Sequence, residues 1–308
     1  MKATHRQAWK KHLRPGLAAL GGLSLAACAA QEPPAAASAQ AVRPAMWTLS
    51  DADTKIYLLG TFHLLPADYA WRTPAIDGAL KEADELVLEI VAPDDPAAMA
   101  APMMAMGVSP NLPPLAERVP AEKRAALTAM IAESGVPAAV FDQLETWAGA
   151  FALLGVTFKR LGLDPESGVE AKLSASQKGA GKPISGLETI QQQMGFFDSL
   201  SEESQRAFLS GMLDDPANAK QEFAEMLKAW SSGDVDAMDR IFNEDVSMSA
   251  ELRDRLLKQR NVRWAEWLQK RLDKPGTVLV AVGAGHLAGA DSVQNQLKAR
   301  GLKTKRVN

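Results

Sequence analysis

The feature that most constrains this chain is a short apolar run ending in Gly-x-x-His, which occurs twice, near opposite ends of the sequence. The first copy is IYLL (56–59) followed by Gly60-Thr61-Phe62-His63. The second is TVLVAV (277–282) followed by Gly283-Ala284-Gly285-His286. Runs this short, bounded by glycine, predict strands buried on both faces. Ligands and catalytic groups of open α/β sheets gather at the carboxyl ends of the strands, so each histidine is expected at that edge. Each motif glycine is expected to permit a sharp exit from its strand. Of the chain's 4 histidines, His5 and His12 fall in the leader described below, which leaves His63 and His286 for the mature protein.

Two carboxylates are expected at comparable places. Glu89 interrupts the apolar run LVLEIV (86–91), where a charge is expensive unless paired or metal-bound. Glu188 follows ISGL (184–187) and so ends another predicted strand. Two imidazoles and two carboxylates facing one volume could hold a divalent metal with an open position for water, lowering that water's pKa.

In the late helix Arg260 lies four residues after Leu256 and four before Trp264, on the apolar stripe, with Asn261 beside it. An arginine there needs an anion. It would clamp a substrate carbonyl or oxyanion, hold a catalytic Glu, or form a structural ion pair. Glu170 and Lys172, in GVEAK (168–172), belong either to the same cleft or to a solvated helix face. Gln191, Gln192, Gln193 and Met194 are weaker candidates, and most other Met and Trp residues read as packing.

Residues 1–27 have the order of a secretory signal: Lys2, Arg6, Lys10, Lys11 and Arg14, then an apolar run from Leu17. The run is too short to span a bilayer. It ends in Leu25-Ala26-Ala27-Cys28, which resembles the bacterial lipobox, and Cys28 is the only cysteine of the chain. Residues 28–45 are then expected to be a lipidated cysteine and a Pro- and Ala-rich tether. Ala29, in place of an Asp, points to an outer-membrane address facing the periplasm. With its thiol acylated, the chain has no disulfide to stabilise it.

Residues 46–308 suit one α/β domain with a largely parallel, mixed central sheet, helices on both faces and a helical insertion over about 112–272. A hairpin is expected over 47–59, a helix over 74–84, strands at 85–91, 182–187 and 277–282, and a strand–helix–strand close. One long helix is expected from Val140 to Leu161, and another over about 247–272. The net charge of -3 and the absence of a basic patch argue against a nucleic-acid partner.

Taken in order, LLGTFHLLP (58–66), ELVLEI (85–90), GVEAKL (168–173), KPISGLET (182–189), QRNVRW (259–264) and VLVAVGAGHLAG (278–289) resemble the TraB/GumN family. That family includes the pheromone-shutdown protein and the animal Tiki proteases. The resemblance implies a fold similar to the erythromycin esterase and ChaN-like proteins, and metal-dependent peptidase activity with zinc, manganese or cobalt. It nominates His63, His286 and Glu89 first, as ligands, then Glu188, Glu170, Arg260 and Asn261 as catalytic residues, and leaves open which Glu ligates the metal and which acts as base. The expected substrate is a peptide or small acyl compound. Two other readings remain open: a metal-free His/Glu esterase, and a lipoprotein that captures haem, a ligand or a peptide without turnover.

Overall fold

The computed structural model describes residues 42–93, 95–213, 216–244 and 249–307. The expected signal segment, Cys28 and most of the expected tether lie outside the described residues. Order begins before residue 46: Arg43 N–H donates to the Ser231 carbonyl, and the Ala45 carbonyl accepts from Gly60 N–H at 3.0 Å.

Among the described residues eight strands form: β1 (Met46–Ser50), β2 (Thr54–Thr61), β3 (Leu65–Pro66), β4 (Glu85–Leu88), β5 (Leu163–Asp164), β6 (Ile184–Gly186), β7 (Gly276–Gly283) and β8 (Lys305–Arg306). Six make the main sheet, in the order β6-β4-β7-β2-β1-β8. β6, β4, β7 and β2 run parallel, whereas β1 is antiparallel to β2 and to β8. Thus β7, from the far end of the sequence, inserts between β2 and β4. Its register sets Gly60 beside Val282 and Thr61 beside Gly283, so the two Gly-x-x-His motifs leave the sheet side by side.

Alternation along these strands supplies two apolar faces. Tyr57, Leu59, Leu279, Ala281, Leu86 and Leu88 face one way. They are covered by α1 (Pro74–Glu82), α6 (Val169–Gly179), α9 (Pro216–Ser232) and α10 (Val235–Glu244). Ile56, Leu58, Val278, Val280 and Val282 face the other way, under α12 (Gln259–Arg271) and α13 (Val293–Ala299). Helix α1 starts where sequence chemistry places it, with Thr73 capping the Ile76 N–H and Pro74 in the first turn.

The helical middle has its own core. It comprises α2 (Pro96–Gly107), α3 (Arg124–Ser134), α4 (Ala138–Phe141), α5 (Thr146–Leu161), α7 (Ile190–Asp198) and α8 (Glu202–Gly211), packed around Leu127, Trp147, Leu153 and Leu209. It is not one insertion over 112–272, because α2 precedes that range and β6 and α6 within it belong to the sheet layers.

The expected helix from Val140 to Leu161 is broken between α4 and α5, and Val140 is exposed. Buried Arg118 explains how the break is tolerated: it donates to the carbonyls of Pro113, Asp142 and Leu144. The expected helix at 247–272 is α11 (Ala250–Arg253), a π-turn at Asp254–Lys258, and α12. Among the described residues, no helix is long and apolar enough to cross a membrane.

Candidate active site

The carboxyl ends of the four adjacent parallel strands form one edge, and each delivers a functional side chain. Just past β6, β4, β7 and β2 stand Glu188, Glu89, His286 and His63. The strand pairing continues beyond β4 and β6: Leu187 N–H donates to Leu88 O at 2.8 Å and Glu188 N–H to Glu89 O at 2.9 Å. The two carboxylates therefore sit side by side, and both are buried.

Arg260 reaches them from α12, directly after the π-turn. Its Nη2 donates to Glu89 Oε2 at 2.5 Å and to Glu188 Oε2 at 2.8 Å, while Nε donates to Glu188 at 3.0 Å. Its Nη1 donates to the Leu256 carbonyl and to His286 Nε2, each at 3.1 Å. The guanidinium lies 4.7 Å from the Trp264 ring centroid and 5.4 Å from that of Phe196. Glu188 also accepts from Trp264 Nε1 at 3.0 Å and Gln193 Nε2 at 3.2 Å, so both its oxygens are engaged.

Both imidazoles are held through Nδ1. His286 Nδ1–H donates to Asn261 Oδ1 at 2.6 Å, and the His286 ring packs on Trp264 with centroids 4.3 Å apart. Asn261 is in turn fixed by donating to the Asp291 carbonyl at 2.8 Å. His63 Nδ1 donates to Glu170 Oε1 at 2.6 Å, and the Thr61 hydroxyl donates to the same oxygen. Glu170 Oε2 is buried with no partner among the described residues.

Glycines admit this arrangement by their size. Gly283 has φ −50, and neither it nor Gly60 has a positive φ, so the expected special exit from the strand is not their role. A Cβ on Gly283 would stand 3.1 Å from His63 Nε2 and 3.2 Å from Glu89 Oε1. The Gly283 N–H donates to that carboxylate oxygen at 2.7 Å. Gly168 lets α6 dock against the first motif, because a Cβ there would lie 2.0 Å from the His63 carbonyl oxygen. Val169 N–H closes that contact on Phe62 O at 3.1 Å, which sets Glu170 under His63.

Protonation follows from these neighbours. The charge of Glu170, with its hydrogen bond, raises His63 to about 9. Burial lowers His286 to about 3, helped by the charge of Arg260, so its ring is neutral and Nε2 is an acceptor. Burial alone would raise Glu89, but His286, Arg260, His63 and the Gly283 N–H together hold it at about 2. With His286 neutral near pH 7, Arg260 is the main counter-charge there. Burial also works against ionised Glu170, and the charge and hydrogen bond of His63 reverse the balance and lower its pKa.

All seven residues singled out from the sequence, His63, Glu89, Glu170, Glu188, Arg260, Asn261 and His286, thus meet at one edge. Lys172 does not join them and is exposed. Of the glutamines only Gln193 enters, touching Glu89 and Glu188; Gln192 caps α7 with Thr189, and Met194 packs in the helical core. Trp264 and Thr61 were missed as site residues. Trp264 stands one helical turn beyond Arg260 on the same face, and Thr61 lies inside the first motif, which are the signals that could have found them.

His63 separates two cavities. One, of about 630 Å³, is lined by Glu89, Glu166, Glu170, Ser174, Lys178 and Gln193 among others. The other, of about 390 Å³, is bounded by Arg260, His286 and a set of apolar side chains. Among the described residues, no three His, Cys, Asp or Glu side chains stand as a ready metal cluster. The donor types nevertheless suit a divalent ion. His286 Nε2 and Glu89 Oε1 are 3.8 Å apart, against roughly 3.3 Å for two ligands of a tetrahedral ion, and Arg260 must release His286 Nε2 before that nitrogen can bind one.

An open α/β sheet with paired imidazoles and carboxylates at its carboxyl edge defines the class of molecule. The chain belongs to the TraB/PrgY/gumN family, whose model matches residues 45–306. It is similar to the uncharacterized protein YbaP of Escherichia coli (strain K12), with 28% identity over 264 residues, 83% of this chain and 92% of that protein. YbaP of Shigella flexneri is 28% identical over 251 residues, covering 79% and 87%. An uncharacterized protein of Treponema pallidum (strain Nichols) is 24% identical over 173 residues, 52% of each chain. No solved structure matches the chain significantly.

Proposed function

We propose that this chain is a hydrolase of peptide or other acyl bonds whose reacting centre is His63, Glu89 and His286. One observation carries the reading: both imidazoles are anchored through Nδ1, by Glu170 and by Asn261, on the edge that Glu89 shares. That is how second-shell partners orient metal-ligating histidines. A divalent metal such as zinc, manganese or cobalt, held by His63 Nε2, His286 Nε2 and Glu89, would supply a Lewis acid and a water of lowered pKa.

The remaining roles belong to the chain itself. Glu170 orients His63, and its Oε2, buried and without a partner among the described residues, would accept a proton from a water admitted beside it. Arg260 offers a fixed positive charge to a developing oxyanion. Glu188, with both oxygens engaged, positions Arg260 rather than acting as a base. Export and anchoring through Cys28 complete the proposal and would confine the reaction to the cell envelope.

The test is metal analysis of the purified protein together with hydrolysis of peptide and ester substrates. Bound divalent metal at one per chain, lost in His63→Ala and His286→Ala, and turnover abolished by chelator and restored by metal are expected. Protein that retains neither metal nor turnover would sink the reading. A metal-free variant of it has its own support: Arg260 already counters both buried carboxylates and caps His286 Nε2, while His63 and Glu170 form a complete imidazole–carboxylate pair. Turnover that survives chelation but not His63→Ala selects that variant.

A further inference from the structure

We propose that the smaller cavity seats an uncharged apolar acyl group of the substrate, and that the larger one takes a polar leaving group joined to it. This rests on the hydrolase reading of the same edge and adds the substrate class. The smaller cavity's volume, about 390 Å³, falls in the range of roughly 300–1,000 Å³ usual for small-molecule pockets.

Its wall is apolar and comes from separate elements: Phe158 of α5, Phe223 and Met226 of α9, Phe242 of α10, and Leu256 and Leu257 of the π-turn. All six are half-buried, although helical spacing places them on inward faces. On α9 the contrast is direct, since Trp230 is 2% exposed in the core whereas Phe223 and Met226 border the void. Apolar surface left facing a concavity is stabilised by an apolar occupant. Phenylalanine and methionine walls also adapt to chains of differing shape.

Polarity is confined to one end. Among the described residues, the polar side chains on this wall are Thr61, His63, Arg260 and His286. A carbonyl presented there has its apolar substituent directed away from them. The second glycine of the second motif fits the same picture: a Cβ on Gly285 would meet the Phe242 ring at 2.7 Å, so glycine lets that ring close the wall against the histidine turn.

Across His63 the larger cavity has a mixed wall, in which Glu166, Glu170, Ser174, Lys178 and Gln193 stand among apolar residues such as Ile90, Val91 and Ile184 and offer hydrogen bonds to a polar group. Water would add to the carbonyl carbon between the two cavities. The bond to the polar group breaks, that group takes the proton, and an apolar carboxylic acid and an alcohol or amine leave.

Calorimetric titration of the intact protein with acetate, hexanoate and decanoate tests the acyl seat without requiring turnover. Affinity is expected to tighten about three- to fourfold for each methylene that enters the cavity. Met226→Trp, which fills the cavity, should abolish that gain, whereas Lys303→Ala, at an exposed position that lines neither cavity, should preserve it. Phe158→Ala should extend the preferred chain length, and it serves if Met226→Trp does not fold. Length-independent binding, or equal hydrolysis of polar and apolar acyl substrates, overturns the acyl seat while leaving a hydrolase standing. Length-dependent binding without any turnover keeps the seat and sinks the hydrolase.

Discussion

Replacing Arg260 with leucine removes the cation that lies between Glu89 and Glu188 and leaves two buried carboxylates without it. Glu89 is 8% exposed and Glu188 9%. A carboxyl held at about 2 instead of its ordinary 4.5 corresponds to roughly 3 kcal/mol of stability at neutral pH. Breaking a buried ion pair from one side costs about 3–5 kcal/mol; Arg260 accounts for only part of the Glu89 shift, since His286, His63 and the Gly283 N–H also lower it.

The pH dependence has a definite sign. In the native protein the depressed Glu89 contributes stability above about pH 4.5, and this is lost as pH falls toward 2. In Arg260→Leu the burial of Glu89 is no longer opposed by Arg260, so its folded pKa moves up and the variant regains stability as that carboxylate protonates. Urea denaturation at pH 7 and pH 5 should show a deficit of about 3–5 kcal/mol that narrows at the lower pH. Combining Arg260→Met with Glu89→Gln and Glu188→Gln, which removes the guanidinium and both buried carboxylates together, should recover much of the loss. A deficit under about 1 kcal/mol at pH 7, the size of an exposed ion pair, would refute the reasoning, as would one that does not change with pH.

Other substitutions probe the supports of the two histidines. Gly168→Ala places a Cβ 2.0 Å from the His63 carbonyl oxygen and should force α6 away, lowering Tm by several degrees and weakening any activity; an unchanged Tm would contradict the packing. Asn261→Ala releases His286 Nδ1 and should reduce metal affinity or turnover about 10–100-fold with a folded circular-dichroism spectrum, whereas wild-type affinity would make the contact incidental. In metal-free protein, Glu170→Gln should bring the His63 pKa down from about 9 toward 6.5, read by NMR titration of the ring, and a ring that still titrates near 9 would show that Glu170 is not the cause. The wild-type pair stabilises the fold fully below pH 6.5 and loses that contribution as pH rises through about 9, a modest effect because the His63 side chain is 62% exposed.

Much of the site was legible because its residues break local rules. A carboxylate after an apolar strand and an arginine on an apolar helix stripe each demand a partner, and each proved to be the other's. Roles were less legible than membership. In the proposed mechanism Glu188 and Asn261, nominated as catalytic, hold Arg260 and His286, through hydrogen bonds that depend on atoms from α7, α12 and the loop after β7. Phe223, Met226 and Trp230 share one periodicity, which does not distinguish a core face from a cavity wall.

Strand-forming runs, the hairpin, the caps and the identity of the charged residues that need partners were determined by the sequence itself, since each depends on neighbours a few positions away. Only the tertiary structure decided that β7 would enter between β2 and β4 and bring His286 beside His63 and Glu89. Strand order in a sheet is chosen by long-range packing of two apolar faces, in which every buried strand of this chain offers similar surface, so no local pattern contains it.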